Sequence, residues 1–273
     1  GSVVWATNIV TQTKASLPDY GLSASPFIVG DKVILQPDAF DGFAVVCYDK
    51  NDGKILWHNL DLRMGYATPM LFNPGNEDQV IVCSRPYIVG LRLSDGVERW
   101  RYNWHVNNNE RPITQPLLVN SNTVFMTAAY MTGCAKFEVT PSTNTAATNA
   151  FEAREIWRNK NLKSKFSSPV LWQGYIYGLD EDILCCVDAS TGERKWKDGR
   201  YGYGQVLLAS GHLLVQCANG DLALIKAVPE QLTEVARFTA LHGKSWNEPA
   251  IGGGKILLRN NAEMACYEIS ATK

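Results

Sequence analysis

Aromatic and basic residues recur together at a few places along this chain of 273 residues. Tyr20, Arg63 with Tyr66, Arg111, Lys165 with Phe166, Arg200 with Tyr203, and Lys244 with Trp246 all lie in short polar segments that lead into apolar runs. Tyr66, Phe166 and Trp246 each stand three residues before a proline, Pro69, Pro169 and Pro249, so these rings should share one level of a common surface. Converging rings with a few cations suit a concave site for a protein or peptide segment, a carbohydrate or an anionic small molecule. The bland alternative is that the same residues only fill a channel mouth.

Other chemistry is sparse. The four histidines, His58, His105, His212 and His242, have no metal-ligand spacing on a helix, and no catalytic residue is assigned. Asp38, Asp41, Asp180, Glu181, Asp182, Asp221 and Glu263 lie on turns near the same loops. Carboxylates from separate elements could hold a hard cation, but scattered turn acids are usually only solvated, and no metal is expected. Gly252-Gly253-Gly254 opens no helix, so it reads as a turn between strands and not as a phosphate cradle.

Seven cysteines are an odd number and do not form a disulfide framework in a chain with ample core. Cys47, Cys186 and Cys266 each stand two residues before an acid, which marks one repeated strand position filled by a small apolar side chain. Cys185 and Cys186 are neighbours, yet successive side chains of a strand face opposite ways, so no bond between them is expected.

These residues are positioned by a repeat. Asp52-Gly53-Lys-Ile-Leu-Trp57, Asp95-Gly96-Val-Glu-Arg-Trp100 and Thr191-Gly192-Glu-Arg-Lys-Trp196 each place a tryptophan four residues after a turn glycine, and blurred copies end at Trp157 and Phe238. Units start near residues 25, 68, 115, 168, 205 and 248, mostly at a proline before an apolar strand. Each unit reads as four short strands joined by tight turns. A period of roughly 40 to 50 residues built from short strands is the signature of a β-propeller.

The predicted fold is therefore all-β: a single domain over residues 1–273, a six-bladed propeller of four-stranded antiparallel blades. The last unit stops before its tryptophan strand, and residues 3–7 (Val-Val-Trp-Ala-Thr) look like that strand, which would close the ring. No segment has a convincing helical period. Residues 141–150 form a Ser/Thr/Asn-rich insertion and are expected to be a mobile surface loop. The tryptophans Trp5, Trp57, Trp100, Trp157 and Trp196 are expected to lie between neighbouring blades, each donating its N–H to a backbone carbonyl next door.

Charge is balanced, 26 basic against 27 acidic side chains, which provides no field for nucleic acid or an anionic membrane. No apolar run approaches the roughly 18 residues of a membrane span. Gly1-Ser2 reads as a cloning remnant.

At the segments Cys186-Val-Asp188-Ala-Ser-Thr191-Gly192-Glu-Arg-Lys-Trp196 and Cys47-Tyr-Asp49-Lys-Asn-Asp52-Gly53-Lys-Ile-Leu-Trp57 the chain resembles the quinoprotein-like, pyrroloquinoline-quinone-like repeat propellers. The resemblance is to the type of the outer-membrane assembly lipoprotein more than to the true quinoprotein dehydrogenases. It implies a non-catalytic recognition or scaffold propeller, monomeric, extracytoplasmic, and binding a protein, peptide or carbohydrate at its loop face without a cofactor. Two alternatives stay open: an enzyme, either a dehydrogenase using pyrroloquinoline quinone and calcium or another channel-site enzyme such as a lyase or hydrolase using channel carboxylates, and a purely structural repeat domain of a larger secreted protein. The dehydrogenases carry a vicinal disulfide in a loop, an acidic calcium site and mostly eight blades, whereas this chain has six units and its paired cysteines lie in a strand.

Overall fold

The computed structural model describes residues 1–143 and 149–269. After a short helix, α1 (Ile9–Thr13), everything regular is antiparallel sheet apart from two single 3-10 turns. The first sheet runs β1 (Phe27–Val29), β2 (Lys32–Leu35), β3 (Val45–Asp49) and β4 (Ile55–Asn59) in that order. The second holds β5 (Arg63–Met64), β6 (Met70–Phe72), β7 (Gln79–Arg85), β8 (Tyr87–Arg92) and β9 (Glu98–Asn103), with β5 and β6 both paired to β7. The third is β10 (Leu117–Leu118), β11 (Thr123–Ala128), β12 (Gly133–Pro141) and β13 (Phe151–Asn159).

In the fourth sheet stand β14 (Val170–Trp172), β15 (Tyr175–Asp180), β16 (Ile183–Asp188) and β17 (Arg194–Arg200). The fifth is β18 (Gln205–Ala209), β19 (His212–Gln216), β20 (Asp221–Lys226) and β21 (Glu234–Thr239). The sixth has β22 (Ala250–Gly252), β23 (Lys255–Arg259) and β24 (Met264–Glu268). Six repeats thus give six sheets among the described residues, with strands in sequence order, as a β-propeller's blades are built.

Two compact units result. One comprises Gly1–Phe125 with Phe137–Ile156, the other Met126–Lys136 with Trp157–Lys273. In the first, Ile34, Val45, Cys47 and Trp57 pack with Val80, Val82, Val89 and Leu91 from the second sheet. In the second, Tyr177, Leu179, Leu184 and Cys186 pack with Leu213, Val215, Ala223 and Ile225. The β-branched and leucine side chains at alternate strand positions account for these faces.

The repeated turn explains its own sequence. Asp49 Oδ1 accepts the N–H of Asn51 at 2.7 Å, and Gly53 N–H donates to the Asp49 carbonyl at 2.9 Å with φ of 73°. A Cβ on Gly53 would stand 2.7 Å from the Trp5 ring, one on Gly96 2.4 Å from Trp57, and one on Gly192 2.9 Å from Trp157. Each glycine therefore serves both the left-handed turn and the seat of an indole arriving from elsewhere in the chain. The indole N–H groups donate to backbone carbonyls: Trp5 to Lys50 (2.7 Å), Trp57 to Leu93 (3.1 Å), Trp157 to Ser190 (3.1 Å) and Trp196 to Val228 (3.0 Å).

Four expectations need correction. Residues 1–8 carry no strand, in contrast to the strand predicted for residues 3–7, and the Trp5 indole takes its repeat position on the first sheet's turn. A helix follows instead, because Asn8 caps it by accepting the Thr11 N–H. Trp100 donates to the Gln79 side chain of its own sheet at 2.7 Å, fully buried against Phe72 and Phe137, because the third sheet has no Asp-Gly turn to seat it.

The fourth correction concerns Phe238. In the first, second and fourth sheets the tryptophan pairs with the residue just before a bulge: Cys47 with Trp57, Gly90 with Trp100, Cys186 with Trp196. In the fifth sheet that pair is Leu224 with Ala236, so Ala236 occupies the tryptophan position and Phe238 lies two residues beyond it, against Tyr267. Of the 141–150 insertion, residues 144–148 lie outside the described residues; its flanks close a hairpin through Ser142 N–H to the Ala150 carbonyl at 2.8 Å.

Candidate functional site

Nine of the ten predicted ligand-binding residues fall into two groups, one within each unit. In the first unit Tyr20 meets Tyr66 edge to face at 5.8 Å, and the Arg111 guanidinium lies 5.8 Å from the Tyr66 ring. Both arginines of this group are committed to one buried carboxylate. Asp38 holds Arg111 at 3.0 Å and Arg63 at 3.5 Å, and its other oxygen accepts the Met64 N–H at 2.6 Å. Arg111 also donates to the Met64 carbonyl, and Arg63 stacks over Phe40. Sharing this one carboxylate, the two arginines pin β5 and its flanking loops in place.

In the second unit the arrangement differs. Phe166 packs against Trp246 at 5.0 Å and edge-on to Tyr203 at 5.7 Å. Lys165 Nζ lies 4.8 Å from the Tyr203 ring, 5.3 Å from Phe166 and 5.5 Å from Tyr130. Lys244 Nζ lies 3.4 Å over the face of Trp246. Gln205 fixes the two loops beneath by donating its side-chain N–H groups to the carbonyls of Trp246 (3.0 Å) and Phe166 (3.4 Å). Neither lysine has a carboxylate partner among the described residues, so each ammonium is balanced only by ring faces and solvent.

Arg200, predicted with this group, is not part of it. It extends to Asp182 at 2.5 Å and lines a separate cleft of about 230 Å³ with Tyr201, Cys217 and Arg237. The reason is register: Arg200 ends the outer strand β17 opposite Ile183, away from the loop that carries Tyr203. Tyr130 was missed, since it belongs to no aromatic-basic pair in the sequence; its positive φ of 56° in the turn before β12 directs it to the lysine. A Tyr-Met pair in a turn normally filled by Asn or Gly was the available signal.

Most of the turn acids are likewise occupied. Asp180 is fully buried with Lys163 and Lys197 each at 2.5 Å, Asp221 accepts from Thr239 at 2.9 Å, and Glu263 accepts the His242 N–H. Among the described residues no three His, Cys, Asp or Glu side chains gather at metal-binding range. His58 is exposed on β4 and stacks on Phe43 at 3.7 Å.

The family described as outer membrane protein assembly factor BamB matches residues 1–198. The chain belongs to this family of pyrroloquinoline-quinone-like repeat propellers. Among solved structures it is similar to BamB from Moraxella catarrhalis, at 16% identity and a TM-score of 0.52, covering 90% of this chain and 84% of that one. It is also similar to Sqt1 of Saccharomyces cerevisiae (14% identity, TM-score 0.63, 89% of this chain and 70% of that one). A third similarity is to the quinohemoprotein alcohol dehydrogenase of Comamonas testosteroni (12% identity, TM-score 0.62, 87% of this chain and 51% of that one). At these identities the likeness is one of fold. Nothing among the curated proteins matches the chain.

Within this BamB-type chain the paired cysteines behave as strand residues. Cys185 Sγ approaches the Asn161 carbonyl at 3.3 Å, while Cys186 lies on the opposite face against Trp196, and all seven cysteines are free. Burial pushes both thiols up to about 12, so they stay protonated and inert at neutral pH. The pair therefore does not supply the vicinal bridge that covers the quinone in the dehydrogenases.

Proposed function

We propose that this protein is a non-catalytic scaffold that holds a partner polypeptide on the extracytoplasmic side, in the assembly of outer-membrane proteins that gives its family its description. The binding surface is the second-unit platform of Lys165, Phe166, Tyr203, Lys244 and Trp246, and its ligand is an extended segment carrying carboxylates beside apolar side chains. One observation carries the reading: two lysines without acidic partners among the described residues lie over a ring cluster in which Trp246 is exposed and Phe166 and Tyr203 are half-buried, whereas Arg63 and Arg111 share the Asp38 carboxylate. An unpaired ammonium on a ring face offers a carboxylate a charge-assisted contact at little desolvation cost, and the rings offer apolar area beside it.

Fluorescence anisotropy with a labelled Asp/Leu-rich peptide, its Asn/Leu counterpart and maltoheptaose as competitor tests this. The acidic peptide should bind more tightly than the neutral one, weaken as salt rises, and lose about tenfold or more in affinity on Lys165→Ala with Lys244→Ala. Competition by maltoheptaose, or equal binding of both peptides, would assign the platform to carbohydrate or to no ligand.

A further inference from the structure

The absence of an indole at position 236 leaves a defined space. Between the fifth and sixth sheets lies a cleft of about 390 Å³, walled by Leu214, Leu222, Leu224, Ala236, Ile251 and Ile256, within the usual range of small-ligand sites. Its place in the repeat is fixed by two independent registers. Ala236 pairs with the residue before the bulge, as Trp57 and Trp196 do. It also stands three residues after the turn acceptor, since Lys226 N–H bonds the Thr233 carbonyl as Asp49 bonds Lys54 and Asp188 bonds Glu193.

The acceptor for an indole is at hand as well. Ile269, whose N–H donates to the Gly254 carbonyl at 2.7 Å, lines this cleft. Lys50 and Leu93 make the equivalent bonds, to Asp31 and Asp78, and their carbonyls are the ones that accept from Trp5 and Trp57. By the register of Trp5 and Trp57, Ile269 stands at the position of the indole acceptor, whereas Trp157 and Trp196 donate one residue beyond the equivalent Ala189 and Ala227, to Ser190 and Val228. Two wall positions are smaller than in the fourth sheet, Ala209 where it has Trp172 and Leu214 where it has Tyr177, while Phe238 and His212 also line the cleft.

We infer that this cleft is a binding site for an indole ring supplied from outside the described residues: a flat bicyclic aromatic whose ring N–H takes the place of the missing tryptophan's. The occupant is selected by shape and by one donor. A fused ring fills the slot that Trp57 and Trp196 fill elsewhere, and its N–H is directed to the Ile269 position. The site is independent of the lysine platform, which lies on the loops carrying Lys165 and Lys244.

Free indole and N-acetyltryptophanamide, titrated into the full chain by calorimetry and followed by thermal melting, form the two arms. They separate a free indole compound from a tryptophan side chain on a polypeptide by which binds more tightly. Either should raise Tm, while benzofuran, a neutral fused ring of the same size without the N–H donor, should bind at least about tenfold more weakly than indole. Ala236→Trp should fill the slot, abolish the indole-induced shift and raise the basal Tm. Should that variant misfold, Ala236→Leu with methyl NMR of Leu222, Leu224 and Ile256 gives the same readout. Lys165→Ala with Lys244→Ala should leave indole binding unchanged. No indole-dependent shift in the natural chain, or an undiminished shift in Ala236→Trp or Ala236→Leu, would overturn the assignment.

Discussion

The fourth and fifth sheets share a strand plan and differ in what crosses it. One row of the fourth sheet reads Val170, Tyr177, Cys186, Trp196 across its strands; the same row of the fifth reads Leu207, Leu214, Leu224, Ala236. In the first case the Trp196 indole donates to Val228 and meets Tyr177 at 6.0 Å, while Trp172 closes over Gly211 at 3.4 Å from where its Cβ would be. In the second, all six residues of the outer strand β21 are exposed and a cleft stands open beside it. Repeat architecture thus separates two jobs: backbone pairing keeps the sheet, and the large aromatic fastens it to the next.

The sharpest contrast should appear at one repeated cysteine position. Cys186 is buried behind Trp196 with its thiol raised to about 12 by desolvation, so at pH 8 it is held as the unreactive thiol. Cys266, at the same place in the sixth sheet, is exposed. Brief alkylation with iodoacetamide followed by peptide mass spectrometry should modify Cys266 alone, and reaction at Cys186 on the same timescale would show that the fourth sheet's aromatic cover is loose.

Removing the cover directly is the next largest change. Trp196→Ala should cost about 3 kcal/mol in urea unfolding, from lost apolar burial and the cavity left behind, and should convert the fourth sheet's interface into a copy of the fifth's. A loss below about 1 kcal/mol would mean the indole merely decorates an interface held by the aliphatic core. Gly192→Ala tests the seat of another indole. Its φ of 77° and the Trp157 ring 2.9 Å from an added Cβ predict a loss of about 1–2 kcal/mol. Gly253→Ala, with φ of 56° but open space around it, should cost about 1 kcal/mol or less.

How far the sequence disclosed this follows from the same physics. Turn glycines and indoles are local pairs at fixed spacing, so the sheets of the clean copies were readable, down to the Asp188 and Asp49 turns. The fifth sheet misled because its turn from Lys226 to Thr233 is longer than the six residues Asp49–Lys54, which shifts the aromatic reading frame onto Phe238. Only a hydrogen-bond register shows that Ala236 is the true counterpart. The lysine-aromatic platform was legible in Lys165, Phe166, Tyr203, Lys244 and Trp246 because each repeat places its loops alike. Separating it from Arg63 and Arg111 required Asp38, whose link to both arginines spans 25 to 73 residues of chain and leaves no trace in spacing.

Lacking an indole, the fifth sheet's outer strand is fastened by charge instead. Tyr201 donates to Glu234 at 2.9 Å, and Arg237 pairs with the same carboxylate at 2.7 Å while lying over the Tyr201 ring at 4.8 Å. The Arg237 hydrogen bonds hold the Glu234 carboxyl below its ordinary 4.5. A carboxylate lowered on folding stabilises the fold above its unfolded value and loses that contribution as pH falls through the lower, folded one. Between pH 7 and pH 3 the natural chain should therefore lose slightly more stability than Glu234→Gln does, by less than about 1 kcal/mol because the pair is partly solvated. Equal pH profiles for the two proteins would show that β21 is kept in place by its ladder with β20 alone, and that the aromatic fastening of the fourth sheet has no ionic substitute in the fifth.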